Sequence, residues 1–319
     1  MYALFTASVE QKSRLKIIHD PQINDFMNNF TSRRRTLAAL AAVPVYYLSG
    51  CAHPSAAATD AGFAALEKNL GGRLGVSALD TNSGRSVGYR QHERFAMCST
   101  FKAIAAAAIL ARNAEEPGLV QKRIRYAKDD LVTYSPVTEQ HLQDGMTLEQ
   151  LCAATVIHSD NGAGNLILRE IGGPEGLTRF ARTIGDTQFR LDRWETELNT
   201  AYAGDPRDTT TPAAMTATLN ALMLGQALPA RERAQLTQWM LDCATGATRI
   251  RAGVPAGWKV ADKTGTGGYG SANDIGVIWP SRRAPIVLSV YTVQHAQDSK
   301  ARNDIVAAAT RLVVQMLVT

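Results

Sequence analysis

The chain has little of what would mark several common roles. Cys51 falls in a leader-like segment, which leaves Cys98, Cys152 and Cys243 as an odd set of cysteines, so no structural disulfide is predicted. The six histidines (His19, His53, His92, His141, His158, His295) form no His-x-His or His-x-x-x-His pair, and a protein without metal or cofactor is expected. His158 is read as a packing residue. The apolar run from Ala38 to Leu48 is too short and too alanine-rich for a permanent membrane span. Charge of one sign is also scarce outside the leader. The first 51 residues hold six Lys or Arg against three Asp or Glu, and the remainder holds 28 against 26. That near-balance, with no basic stripe interleaved with aromatics, excludes nucleic acid as a partner.

What is present is an ordinary globular composition, 319 residues with 45% hydrophobic, enough to bury the core of one or two domains. Residues 1–51 are set apart as an extension and export signal. Ser32-Arg33-Arg34-Arg35-Thr36-Leu37 ahead of the apolar run resembles a twin-arginine signal, and Leu48-Ser49-Gly50-Cys51 resembles the lipobox of bacterial lipoproteins. The expectation is an exported, periplasmic monomer, lipid-anchored to a membrane through Cys51; ordinary cleavage nearby is the alternative. Residues 1–26 carry charges of both signs without periodicity, and Met27 is a second candidate start.

In the remainder, a helix is expected over 61–70 and strands over 73–79 and 86–90, joined by the turn cluster Asp80-Thr81-Asn82-Ser83-Gly84. From about 97 to 240 the pattern turns to alanine- and leucine-rich helices, among them 101–112, 147–157 and 212–224. Strands return over 257–263, 271–279 and 285–293, and a helix over 304–317 closes the chain. Both ends therefore build one α/β domain, assigned to 59–90 and 249–319. An all-helical second domain spans 91–248, and the default place for a site is the junction.

Three short elements carry chemistry. Ser99-Thr100-Phe101-Lys102 opens the first middle helix, and residues three apart share a helical face, so the Lys102 amine reaches the Ser99 hydroxyl. Alone this is weak, since such a pair arises by chance on the order of once in a chain this long. Ser159-Asp160-Asn161 sits between two helices, where a serine relays a proton and an asparagine donates to a substrate; by itself the tripeptide reads as a turn or cap. Lys263-Thr264-Gly265-Thr266, placed at a strand end, offers a cation, two hydroxyls and a glycine that admits a ligand to the backbone.

Together and in this order, the three elements resemble the motif set of class A β-lactamases and penicillin-binding proteins. The similarity to class A enzymes, the Pen-type branch above all, runs through nearly all of residues 59–319, including FAMCSTFKA, SDNGAGNLIL, RWETELN, GDPRDTTTP and KTGTGGYGSANDIGVIWP. It implies a two-domain fold in which helices flank a five-stranded antiparallel sheet beside the all-helical domain. It also implies hydrolysis of the β-lactam ring of penicillins and cephalosporins through a serine acyl-enzyme, and with it antibiotic resistance.

By the same resemblance, Ser99 is the nucleophile, with an oxyanion held by the backbone N–H groups of Ser99 and Thr266. Either Lys102, or Glu195 through water, takes the serine proton. Ser159 passes a proton to the leaving nitrogen. Arg193-Trp194-Glu195-Thr196-Glu197-Leu198-Asn199 resembles the class A omega loop, placed over about 190–208, with Glu195 as general base and Asn199 beside the hydrolytic water; Glu197 fits the motif less well. Lys263, Thr264, Gly265 and Thr266 face the substrate carboxylate. Arg249 supplies the guanidinium absent at Ala272, Asn161 meets the acylamido side chain, and Tyr134 stands at the rim. The sequence departs from some relatives where Ala106 stands opposite Cys152, and Gly267 opposite Cys98, so neither family disulfide forms. Carbapenem hydrolysis is not implied, although Thr266 is compatible with it. A D-Ala-D-Ala peptidase of the same fold, and a non-catalytic binder of cell-wall fragments, are the competing readings.

Overall fold

The computed structural model describes residues 56–318; the arginines of the leader and Cys51 lie outside the described residues. The chain opens with helix α1 (Ala56–Leu70), then strands β1 (Gly72–Asp80), β2 (Ser86–Tyr89) and the two-residue β3 (Phe95–Ala96). The middle holds α2 (Phe101–Glu115), β4 (Arg123–Ile124), β5 (Met146–Thr147), α3 (Leu148–Ile157), α4 (Asn161–Glu170), α5 (Gly173–Thr183), β6 (Thr209–Thr210), α6 (Pro212–Met223) and α7 (Ala230–Leu241). After the short α8 (Ile250–Gly253) come β7 (Lys259–Gly267), β8 (Ser271–Trp279), β9 (Ile286–Gln294) and α9 (Asn303–Val318).

The main sheet is antiparallel in the order β2-β1-β9-β8-β7. Strand residues alternate between two cores, as the two-residue side-chain period requires. Leu74 and Val76 of β1 with Leu288 and Val290 of β9 pack with Phe63 of α1 and Ile305 and Val313 of α9. Val287 and Tyr291 of β9 face the other way, into the core formed with the middle helices. A fully buried leucine such as Leu74 contributes about 1.5–3 kcal/mol by leaving water.

Helix α2 is the axis of the second layer. Phe101 to Leu110 are buried without a break, and a run of four alanines, Ala105 to Ala108, lets neighbouring helices close in on every side. Local chemistry sets the helix starts around it. Thr147 accepts from the Gln150 N–H at 3.2 Å while Gln150 reaches back to the Thr147 N–H at 2.9 Å, a reciprocal cap that starts α3. Asp160 caps α4 by accepting from the Ala163 N–H at 2.8 Å, which fixes the turn between α3 and α4.

The five expected strands and the principal helices are present, with four corrections. Strand β7 runs to Gly267, because its ladder with β8 continues to the Gly267–Ser271 pair; Lys263 to Thr266 therefore lie inside the strand and not at its end. The helical middle contains two short ladders, β3 with β6 and β4 with β5. The first helix begins five residues earlier than expected, at Ala56. His158 is exposed where α3 ends, and does not pack into the core.

Candidate active site

Where α2 meets the sheet, a tight turn at Cys98–Thr100 lifts Ser99 to the head of the helix. Cys98 holds a left-handed φ of 46°, and Thr100 Oγ1 donates to the Met97 carbonyl at 2.8 Å. Strand β7 passes directly against this turn. A Cβ at Gly265 would stand 2.7 Å from the Met97 carbonyl oxygen and 3.2 Å from Cys98 Cβ. Glycine is needed there for strand-to-turn packing. Gly265 does not line the cavity, and its carbonyl accepts from Arg249 at 2.7 Å.

Lys102, one helical turn on, is fully buried. Its ammonium donates to Ser99 Oγ at 3.0 Å, to the Ser159 carbonyl at 2.9 Å and to Asn161 Oδ1, and stands 2.9 Å from Glu195 Oε1. Ser99 Oγ itself donates to the same Glu195 oxygen at 3.3 Å. Burial lowers the Lys102 pKa, and the facing Glu195 carboxylate works against that shift. One cation thus touches the serine, the carboxylate and the turn between α3 and α4.

That turn gives Ser159 a left-handed φ of 59° and points its hydroxyl at the second lysine. Lys263 donates to Ser159 Oγ at 3.0 Å and to the Thr264 carbonyl at 2.9 Å. Its pKa is pushed down to about 8, first by burial and then by the neighbouring Lys102 charge, against the pull of Asp262 and Asp274. Asp160 anchors the turn from below, with Oδ2 accepting from the N–H groups of Val137 and Thr138, both at 2.9 Å.

Glu195 arrives from the loop over 190–208, which is pinned at its neck. Arg190 N–H donates to the Thr209 carbonyl at 3.0 Å, and the buried Asp208 accepts from the backbone of Asp192 and Arg193 and from the Arg193 guanidinium. Asn165, four residues and so one turn beyond Asn161 on α4, grips the Glu195 peptide at both ends, each bond 3.0 Å long. Asn199 Nδ2 donates to Glu195 Oε2, while Asn199 Oδ1 is buried without a partner among the described residues.

Of these groups Ser99, Ser159, Asn161 and Asn199 line a cavity of about 450 Å³, together with Tyr134, Thr245, Arg249, Thr264 and Thr266, while the side chains of Lys102, Lys263 and Glu195 are buried and do not line it. Tyr134 stands at its mouth, 57% exposed. Asn161 commits one amide hydrogen to the Thr133 carbonyl at 2.7 Å, which leaves the second. Arg249 is 5% exposed and donates to the Asn273 carbonyl at 2.6 Å, Thr266 Oγ1 at 2.7 Å and Asn303 Oδ1 at 2.9 Å. Thr245, missed in the sequence, meets Thr264 hydroxyl to hydroxyl at 2.5 Å. Its position four residues before Arg249 was the only local signal. Glu197 does not line the cavity. Cys98, Cys152 and Cys243 are buried free thiols. Among the described residues no His, Cys, Asp and Glu side chains group as a metal site, and no helix is long and apolar enough to cross a membrane.

An activated serine, two buried lysines, and a carboxylate poised over the same hydroxyl at the junction of a sheet and a helical layer define a serine hydrolase that works by acyl transfer. The sequence profile of the Beta-lactamase enzyme family matches residues 59–317. The carbapenem-hydrolyzing beta-lactamase KPC of Klebsiella oxytoca is 54% identical over 256 residues, 80% of this chain and 87% of that protein. Beta-lactamase Toho-1 of Escherichia coli is 48% identical over 88% of this chain and 97% of its own length. The crystal structure of a beta-lactamase from Desulfarculus baarsii superposes with a TM-score of 0.82 at 56% identity, covering 83% of this chain and 99% of that one. The chain belongs to the beta-lactamase enzyme family, as a class A serine enzyme.

Proposed function

We infer that the protein opens the β-lactam ring of penicillins and cephalosporins by acylating Ser99 and then hydrolyses the ester with water, which confers resistance to these antibiotics. The observation that carries this reading is that Ser99 Oγ lies within reach of both Lys102 Nζ (3.0 Å) and Glu195 Oε1 (3.3 Å).

The Lys102–Glu195 pair holds one mobile proton. With that proton on Glu195, the neutral Lys102 amine takes the Ser99 proton as Oγ bonds to the lactam carbonyl carbon. The oxyanion is held by the backbone N–H groups of Ser99 and Thr266. As the ring C–N bond breaks, Lys102 passes the proton through Ser159 Oγ to the leaving nitrogen, and Lys263 offsets negative charge beside the relay. The Glu195 proton then returns to Lys102, which regenerates the carboxylate. Glu195 draws a proton from a water whose second hydrogen bonds to Asn199 Oδ1, and the hydroxide attacks the ester. Collapse of that intermediate returns the proton to Ser99. The substrate carboxylate lies among Thr245, Thr264, Thr266, Lys263 and Arg249, where donors and positive charge converge, and Asn161 donates its second amide hydrogen to the acylamido group.

The leader suits export: Ser32-Arg33-Arg34-Arg35-Thr36-Leu37 as a twin-arginine signal, release or anchoring at Cys51, and action in the periplasm as a monomer. We assign the sheet domain to 59–90 and 249–319 and the helical domain to 91–248.

Mass spectrometry of the enzyme mixed with benzylpenicillin, alongside turnover, tests the reading. Rapid turnover with only transient mass gain on Ser99 is expected. An adduct persisting for many minutes in the native enzyme overturns it in favour of a penicillin-binding peptidase.

A further inference from the structure

A second cavity, of about 390 Å³, shares no lining residue with the Ser99 cavity. One wall is the outer stretch of the 190–208 loop, Ala201 to Arg207; the other is formed near the ends of β1 and β9 and by β3, with Arg73, Val293 and Phe95. Its volume suits a small ligand. Tyr202 and Tyr269 of its lining pack edge to face, 6.2 Å between centroids, and Phe95 lies under the Arg73 guanidinium at 4.5 Å.

The charges around it do not balance. Asp205 is committed to the Arg207 guanidinium, with Arg193 also beside it, and its pKa is held down to about 2 by the Arg207 hydrogen bond. Glu93 is bonded to Arg90 at 2.8 Å and stands 3.7 Å from Arg73. Arg94, by contrast, meets only neutral oxygens among the described residues: the Gln188 carbonyl at 2.9 Å, Thr209 Oγ1 at 3.1 Å and Gln188 Oε1 at 3.1 Å. Arg73 Nη2 donates to the Arg94 carbonyl at 2.7 Å, and its buried Nε finds no partner among the described residues. Two guanidiniums without a full counter-charge therefore border a cavity with three aromatic rings in its lining.

We propose that this cavity is a second ligand site that binds a small aromatic carboxylate, with the anion on Arg73 and Arg94 and the ring against Tyr202 and Tyr269. A planar anion supplies the counter-charge that Glu93 and Asp205, already committed to other arginines, do not, and its ring meets aromatic faces, which water does only in part. The wall formed by the loop continues back to Asn199, so the site sits on the far side of the segment that carries part of the reaction machinery.

Titration of the full chain with 2-naphthoate, followed by amide and arginine side-chain NMR shifts, tests the proposal. Saturable shifts at Arg94, Tyr202, Gly204 and Tyr269 are expected, with an apparent Kd of about 1 mM or below. Arg94→Gln should weaken binding about tenfold through loss of a charge-assisted contact. Tyr202→Ala, at a half-exposed tip of the loop, should weaken it severalfold without touching the loop neck, and neutral 2-naphthamide should bind far less tightly than the acid. Shifts confined to the Ser99 cavity, no saturation by about 10 mM, or equal affinity in Tyr202→Ala and the native chain would overturn it.

Discussion

Removal of the Glu195 carboxylate separates the two halves of the reaction, and the structure supplies the size of each effect. In Glu195→Ala the Lys102 ammonium loses a partner at 2.9 Å inside a fully buried site. A buried cation left without its pair ordinarily costs about 3–5 kcal/mol. Here Lys102 keeps acceptors at Ser99, Ser159 and Asn161, and burial already lowers its pKa. Glu195 is what holds that pKa up, so in the variant the lysine discharges more easily, and each unit of pKa displacement limits the cost by about 1.4 kcal/mol. The loss of stability should therefore stay below about 3 kcal/mol, a fall of under about 10 °C in Tm for a domain of this size. The neutral amine remains available to Ser99, so acylation persists. Deacylation loses its base and should slow by about 10²–10⁴-fold. Rapid mixing with benzylpenicillin and quenching into a mass spectrometer reads both: a burst of one equivalent on Ser99, then accumulation of acyl-enzyme. A variant that deacylates at the native rate, or in which acylation falls as far as deacylation, refutes the division of labour.

Three other outcomes follow from the same geometry. Lys263 carries its charge only below its depressed pKa of about 8, so kcat/KM should fall as pH rises through about 8; a bound carboxylate favours the ammonium and should move the limb in kcat upward, and Lys263→Arg should remove the alkaline limb from the pH profile because arginine stays charged. Arg249→Ala removes the partner of four acceptors held at 2.6–2.9 Å, two of them the buried carbonyls of Gly265 and Asn273; steady-state kinetics should show KM raised about tenfold or more with a smaller change in kcat, and calorimetry a lower Tm, since each of the two stranded buried carbonyls costs about 1–3 kcal/mol. Asn165→Ala frees both ends of the Glu195 peptide and should lengthen the acyl-enzyme lifetime at least tenfold, a fall of about 1.4 kcal/mol in transition-state stabilisation, while the mass-spectrometric burst remains.

The site was readable where its geometry is local. Ser99 and Lys102 are one helical turn apart, and Ser159 and Asn161 sit in a turn between two helices, so spacing in the chain already stated their proximity. Glu195 came from resemblance of the flanking residues, because a loop imposes no period that would place a carboxylate in space. What spacing in the chain left unread has one cause. Gly265 packs against Met97 and Thr245 reaches Thr264 only after distant segments meet, and no pattern near either residue reports that encounter. The long strands announced themselves by alternation between two buried faces or by continuous apolar character. The ladders at Phe95–Ala96 and Arg123–Ile124 are two residues long, too short to show any period.

The pairing of β1 with β9, the first and last strands of the main sheet, has a kinetic consequence. Register runs from Gly72 opposite Gln294 to Asp80 opposite Ile286, so the segments that carry Ser99, Ser159 and Glu195 all lie inside one very long loop closed by this pairing. Contacts of such sequence separation make folding slow and cooperative. A chain shortened before β9 lacks the central strand between β1 and β8, and Lys263 on β7 then has no sheet to hold it against Ser159. Catalytic competence therefore requires the end of the chain to dock beside its beginning.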